Sequence, residues 1–284
     1  MPLGHPIRLA LVQFAPQPGS RENNLSVAEA LVGDKKADIF LFPHLFSTAA
    51  GVDEAARFAE RADGLTPTFL RKVALSRKAY VMGSYLAEGK IKKKNPFVRN
   101  LVIDPSGRTI ATYDAIHLCS ILGEPAHLSS GKKLPFFDLL TFRSALISSY
   151  DLRFPEIARE FGLSNGFLLF VAGAYRRSER MAWDSLLSAR AVENQMFVVG
   201  CNFGASPNEK IDTSESSHDP FGGGSAVYAP DGRKIHQAGL GDQVLILDID
   251  PFDVEWARTR YQYLTDAKST VKRRHIHESP LDKE

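Results

Sequence analysis

The sequence predicts an α/β protein in which β-sheets carry helices on their outer faces within a single domain. Apolar stretches with strand-like and helix-like spacing alternate along all 284 residues. Two pairs of strand-like segments are joined by turn sequences, and no stretch rich in Gly, Ser or Pro divides the chain. We therefore expect one domain over residues 1–284, of which 272–284 form a C-terminal tail.

The first half of the chain predicts three strands, two helices and a hairpin. The second strand is so uniformly apolar that it should lie deep inside a sheet. The second helix is expected to begin with Thr66 as N-cap and Pro67 at its first helical position, since both residue types favour those places. The hairpin turns at Asp104-Pro105-Ser106-Gly107. The expected ranges are strands 7–14, 38–43 and 79–87, helices 24–36 and 65–79, and the hairpin 99–118.

The second half continues the alternation and ends in a helix. The helix over 179–195 carries Trp183, Leu186, Leu187 and Ala191 at helical spacing on one face, which should pack on a sheet. A second hairpin repeats a Pro-Asp-Gly type of turn, which hints at a weak internal duplication. The expected ranges are strands 142–149, 166–174, 196–204 and 244–250, helices 154–162, 179–195 and 251–260, and the hairpin 224–237.

Composition excludes several classes of function. The net charge of +2 gives no reason to expect nucleic acid or an acidic partner, and the basic runs at 90–94 and 272–275 are expected to be a solvated loop and tail. Two cysteines, Cys119 and Cys201, imply no disulfide framework and fit a reducing compartment. Since the sequence also shows neither a signal peptide nor a stretch long enough to span a bilayer, we expect a cytoplasmic protein.

Polar side chains follow three of the expected strands. His44 follows a buried strand, Asp114 and His117 lie at the end of a hairpin arm, and Ser149 begins the turn in ALISSYDLRFPE. Polar groups at neighbouring strand ends commonly converge on one pocket. The sequence therefore predicts a small-molecule site at these strand ends.

The same segments resemble the nitrilase, or carbon-nitrogen hydrolase, superfamily over nearly the whole chain. The resemblance rests on LVQFAP, ADIFLFPHLF, RNLVIDPSG followed by IHL, YDLRFPE, WDSLLSARAVENQ, VVGCN and GGSAVYAPDG. It implies a single four-layer αββα sandwich and a homodimer formed through helices next to the site. It implies no cofactor.

The resemblance also implies a catalytic Glu, Lys and Cys, and this chain lacks all three. Carried over without gaps, the Glu position is His44, the Lys position is Ala115 and the Cys position is Ser149. A second family Glu is kept as Glu124. Tyr150 and Asp151, beside the nucleophile position, are expected to contribute with Glu124 to ligand binding.

These replacements predict a degenerate homologue. Loss of a nucleophile or base from a catalytic unit typically costs about 10⁴- to 10⁶-fold in turnover, and Ala115 removes a cation as well. The expectation is a pseudoenzyme without amidase or nitrilase chemistry that binds a small ligand or a protein. One alternative is an active serine hydrolase of an ester or amide, with His44 as base for Ser149 and Glu124 orienting the imidazole. Another is a non-catalytic subunit that supports an active homologue.

Other polar residues are expected to be structural. His117 is interpreted as a hydrogen-bonding residue, and no spacing indicates a metal site. The two cysteines are expected in the core. Arg153 and Glu156 are expected to brace the turn or a dimer contact.

Overall fold

The structure, a computed structural model, describes residues 5–89, 95–205 and 219–267. The expected solvated loop at 90–94 and the tail at 272–284 lie outside these ranges. The strands are β1 Ile7–Gln13, β2 Ile39–Leu41, β3 Tyr80–Ala87, β4 Phe97–Ile103, β5 Thr109–Asp114, β6 Phe137–Leu139, β7 Phe142–Ser148, β8 Leu168–Ala172, β9 Phe197–Cys201, β10 Ala226–Tyr228, β11 Lys234–Gln237 and β12 Gln243–Ile249. The helices are α1 Arg21–Val32, α2 Leu65–Arg77, α3 Glu124–His127, α4 Pro155–Leu163, α5 Arg180–Asn194, α6 Phe252–Arg260 and α7 Tyr263–Asp266, with 3₁₀ turns at Val52–Glu54 and Ser149–Arg153.

The strands form two six-stranded sheets. Their orders are β12-β1-β2-β3-β4-β5 and β11-β10-β9-β8-β7-β6. Within each sheet the central strands pair in parallel, β1 with β2 and β2 with β3 in the first sheet and β7 with β8 and β8 with β9 in the second. The strands at the sides pair antiparallel. This mixture of crossovers and hairpins agrees with the pattern of the sequence.

The two sheets pack face to face and each carries helices on its other face. Leu9 and Leu11 of β1 contact the same core cluster as Phe170 of β8 and Val199 of β9, between the sheets. Alternate residues of the first sheet pack with α1 and α2, and those of the second sheet pack with α4 and α5. The expected four-layer αββα sandwich is confirmed.

Two predictions about single elements are confirmed. β2 is buried at every position and lies between β1 and β3, as its uniformly apolar sequence requires. On α5, Trp183, Leu187 and Ala191 are fully buried against the second sheet, while Leu186 is partly buried beside them. The spacing of the apolar residues along α5 therefore predicted which face of this helix is buried.

The predicted N-cap of α2, Thr66, is wrong. The helix begins at Leu65, and its N-cap residue is Gly64. Thr66 cannot act as the cap because it lies inside the first turn, where its N–H and hydroxyl both donate to the buried carboxylate of Glu60 at 2.9 and 2.5 Å. The hydroxyl thus serves an internal network with Glu60 and Ser47 rather than a helix end.

Within the described ranges, no helix has both the length and the apolar character needed to cross a membrane.

Candidate active site

A cavity of about 790 Å³ opens where strand ends of the two sheets meet. Its wall includes five of the six residues predicted to be catalytic or ligand-binding, and these are His44, Ala115, Glu124, Ser149 and Tyr150. Much of the remaining wall is apolar. The cavity therefore brings these five residues together, although their roles do not follow from that alone.

His44 lies in the segment that follows β2. Its backbone N–H donates to the Gly173 carbonyl at 3.1 Å. The next residue, Leu45, has φ +46°, a left-handed conformation that non-glycine residues rarely adopt, and its N–H donates to Ser84 Oγ at 2.6 Å. These bonds hold the strained segment in place, so His44 is presented to the cavity by a rigid backbone.

The imidazole of His44 stays uncharged at neutral pH. The ring is partly exposed to solvent, but its Nδ1 atom is buried and has no hydrogen-bond partner among the described residues. Burial lowers the pKa of His44 to about 4, against a smaller opposing effect of the Asp151 charge. Because a neutral imidazole keeps one nitrogen as an acceptor, this side chain can take up a proton.

Ser149 begins the 3₁₀ turn that follows β7. Its Oγ accepts a hydrogen bond from the Ala174 N–H at 3.0 Å, and its carbonyl accepts one from the Tyr175 hydroxyl at 3.3 Å. Among the described residues no acceptor takes the proton of the Ser149 hydroxyl. That proton is therefore available for transfer.

One peptide group connects His44 and Ser149. The carbonyl of Gly173 accepts from the His44 backbone, and the N–H of the same peptide bond, which belongs to Ala174, donates to Ser149 Oγ. No hydrogen bond joins the two side chains within the described part of the chain. The expected orientation of His44 by Glu124 is also not present, because Glu124 Oε2 accepts the Cys119 N–H at 2.6 Å.

Glu124 stands at the start of α3 on the cavity wall. Burial raises the pKa of its carboxyl group, and the hydrogen bond from the Cys119 backbone offsets part of that rise. The carboxyl can therefore hold a proton more readily than a carboxyl in water.

Asp151 does not line the cavity. It is wholly buried behind Ser149 and accepts hydrogen bonds from the Tyr113 hydroxyl at 2.6 Å and from His117. The sequence places it beside Ser149 but cannot show that the 3₁₀ turn directs its side chain inward. Its carboxylate therefore holds Tyr113 and His117 in place and does not face the cavity.

Two cationic side chains, those of Arg153 and Arg176, also reach the cavity. Arg153 pairs with Glu179 and lies over the Tyr175 ring at 5.2 Å, so it braces the turn as expected and also lines the cavity. Arg176, which sequence reasoning missed, lies over the Phe221 ring at 4.3 Å. It lies four residues after the end of β8, much as His44 lies three residues after the end of β2. A search for polar residues at the end of every strand would therefore have found it.

The two cysteines lie at different places relative to the cavity. Cys201 is buried at the end of β9, where burial raises the pKa of its thiol, while Cys119 lies on the cavity wall. In the ranges that the structure describes, no group of three or more His, Cys, Asp or Glu is placed to hold a metal ion.

The sequence matches the family model described as carbon-nitrogen hydrolase over residues 8–259. The chain belongs to the carbon-nitrogen hydrolase family. A 2-oxoglutaramate amidase of Bacillus subtilis is 28% identical over 246 residues, 85% of this chain and 90% of the relative. An omega-amidase of Xenopus laevis is 30% identical over 257 residues, 86% of this chain and 88% of the relative.

Solved structures of carbon-nitrogen hydrolases share the fold. A superfamily protein of Xanthomonas campestris, with an arsenic adduct in its active site, has a TM-score of 0.82 at 24% identity and covers 94% of this chain and 98% of its own. A cysteine-to-serine mutant of an amidase from Nesterenkonia has a TM-score of 0.78 at 25% identity, covering 94% and 97%.

These relatives overturn the expectation of a pseudoenzyme without amidase chemistry. Several carbon-nitrogen hydrolases that match most of this chain are named as amidases, and no finding indicates a degenerate homologue. That expectation is wrong. The alternative of a purely supporting subunit depended on the same loss of catalysis, so it loses its support. His44, Ala115 and Ser149 alone do not establish inactivity.

Proposed function

We propose that this carbon-nitrogen hydrolase cleaves the C–N bond of a small amide, with Ser149 as nucleophile and His44 as proton acceptor. The observation that carries the proposal is the peptide group between Gly173 and Ala174, which ties both residues to one cavity wall. Serine needs a base in the transition state, and an uncharged imidazole is suited to that role.

The cavity supports a small organic substrate. Its volume of about 790 Å³ lies within the range of about 300–1,000 Å³ that is common for ligand sites. Leu45, Leu86, Val98 and Leu128 supply apolar wall, so an uncharged carbon chain can be desolvated next to Ser149. The amidase names of the relatives favour an amide as the reacting group.

The reaction proceeds by acyl transfer. Ser149 Oγ attacks the amide carbon while its proton passes to His44, the C–N bond breaks, and the nitrogen leaves as ammonia or an amine after taking up a proton. Water then cleaves the acyl-serine ester and restores the hydroxyl. Because Ala115 provides no cation, we assign the developing oxyanion to the backbone N–H of Tyr150, which lies in the first turn of a 3₁₀ segment.

Ammonia release and covalent labelling test the proposal together. The purified protein is incubated with small primary amides, including 2-oxoglutaramate, and separately with a fluorophosphonate probe. We expect turnover and labelling in the wild type, and a loss of about 10⁴-fold or more in Ser149→Ala. Ser76→Ala, on the exposed surface of α2, is the matched control.

Two results would count against the proposal. If the wild type neither releases ammonia nor reacts with the probe, hydrolysis through Ser149 is wrong. If Ser149→Ala retains amide turnover, the nucleophile is a different group.

We propose in addition that the protein acts as a homodimer in the cytoplasm. Both cysteines are free, which fits a reducing compartment. Met181 on α5 is 81% exposed and Leu163 at the end of α4 is 53% exposed, so the helices beside the site offer apolar surface to a second copy. Light scattering measures the mass, and Met181→Asp should yield monomers if this surface forms the contact.

A further inference from the structure

A second imidazole on the cavity wall is held by a carboxylate. His117 lines the cavity, and its Nδ1 lies 2.9 Å from Asp151 Oδ1, which also accepts the His117 backbone N–H at 2.9 Å. The ring stacks on Phe154 with centroids 3.6 Å apart and planes 6° from parallel. His117 is therefore fixed in both position and rotation.

Asp151 determines which nitrogen of His117 can exchange a proton. Its other oxygen accepts from the Tyr113 hydroxyl at 2.6 Å and from the Ser148 N–H at 3.3 Å. Since every partner of this buried carboxylate is a donor, Nδ1 of His117 is the protonated nitrogen. Nε2, which has no hydrogen-bond partner among the described residues, is left as the nitrogen that exchanges protons with the cavity.

His44 and His117 differ in the groups that contact their rings. Nδ1 of His44 is buried without a partner, and the described residues place no carboxylate in contact with its ring. The imidazolium of His117, in contrast, would lie directly against the Asp151 carboxylate. A site with one imidazole that lacks a carboxylate partner and one imidazole held against a carboxylate offers a proton acceptor and a proton donor. Amide cleavage requires both, because a leaving nitrogen must be protonated as its bond to carbon breaks.

We propose that His117, held by Asp151, is a second catalytic histidine that protonates the leaving nitrogen and later activates water. This inference rests on the proposed function. In acylation His44 takes the proton of Ser149, and Nε2 of His117 gives its proton to the departing nitrogen as the C–N bond breaks. In deacylation water attacks the acyl ester and passes a proton to His117, while His44 returns its proton to Ser149 Oγ. Each group is thus restored after one molecule of amide and one of water are consumed.

An ester and an amide with the same acyl group test this assignment. p-Nitrophenolate leaves without taking up a proton, whereas an amide nitrogen must be protonated before it can leave. In His117→Gln we expect a burst of p-nitrophenol close to one equivalent per enzyme, because acylation by Ser149 and His44 remains. Steady-state ester turnover and amide turnover should both fall by about 10²- to 10⁴-fold. His236→Gln, at an exposed position on β11, should change neither reaction.

The outcomes separate the two proposals. No burst and no amide turnover in the wild type would overturn the proposed function and this inference together. If His117→Gln keeps full amide turnover, or loses the ester burst to the same degree as amide cleavage, His117 is a structural residue and the inference alone is wrong.

A wild-type measurement covers the case in which the variant does not fold. A series of anilides with leaving amines of graded basicity should react at similar rates if a group on the enzyme protonates the amine. A steep fall in rate with rising basicity of the amine would overturn the assignment without any variant.

Discussion

Replacement of His44 by glutamine should change how the free energy of unfolding depends on pH. Burial lowers the pKa of this histidine from 6.5 to about 4, so the unfolded chain binds a proton between these values while the folded chain does not. Protons therefore favour unfolding, and the contribution of His44 to stability is fully present above pH 6.5 and is lost as the pH falls towards 4.

The size of the effect follows from the two pKa values. A difference of about 2.5 units corresponds to about 3.4 kcal/mol in total, of which about 2 kcal/mol is lost between about pH 7.5 and pH 5. These are upper values, because the part of the ring that faces the cavity keeps some contact with water. Glutamine does not titrate, so the variant lacks this component.

Urea unfolding at the two pH values measures the difference. We expect the wild type to lose up to about 2 kcal/mol more than His44→Gln on acidification, and the control His236→Gln to behave as the wild type does. Equal pH dependence in the wild type and His44→Gln would refute the claim that His44 is held uncharged by burial.

Three further substitutions test the packing beneath the site, again by urea unfolding. Trp183→Phe removes the indole N–H that donates to the Gly224 carbonyl at 2.9 Å and should cost about 2–3 kcal/mol; a loss under about 1 kcal/mol would show that this bond contributes little. Gly200→Ala places a methyl group 2.5 Å from the same indole and should cost about 1–3 kcal/mol, whereas Gly239→Ala, with its nearest neighbour at 3.5 Å, should stay within about 0.5 kcal/mol. Equal losses at the two glycines would contradict the steric argument. Asn202→Ala removes three hydrogen bonds to backbone groups at 2.8 to 3.0 Å and should cost about 3 kcal/mol; an unchanged midpoint would mean that water replaces the amide.

The fold could be predicted from the sequence because its layers leave a pattern along each strand. β2 is apolar at every position because one face meets the other sheet and the other face meets helices. The α5 face that includes Trp183 repeats at helical spacing for the same reason. In contrast, the first turn of α2 depends on the carboxylate of Glu60, which precedes the helix and accepts the Thr66 N–H. Glu60 is buried beside Thr66 and Ser47 only because the chain is folded. Residue preferences at helix ends cannot predict such a tertiary contact.

The site could be predicted only in part. His44 and Ser149 are polar residues at strand ends, so position alone identified them, but Ala115 has no polar group and was found through the family resemblance. The inward orientation of Asp151, and hence its bond to His117, depends on how a 3₁₀ turn is placed against β5 of the other sheet. That relation between distant segments is not encoded in the spacing of residues.

The links that hold the site explain how its catalytic groups can differ while the fold is kept. The bonds of the Gly173–Ala174 peptide reach the backbone of His44 in one sheet and the side chain of Ser149 in the other. Asn100 on β4 adds a second link between the sheets, because its amide donates to Ser148 Oγ at 2.8 Å. Neither the His44 backbone bond nor the Asn100 bond depends on which side chain stands at position 44 or 149. A change of the side chain at position 44 or 149 thus leaves these backbone links in place. The catalytic groups can therefore differ between relatives that share the same backbone geometry, so the activity of each group must be tested separately.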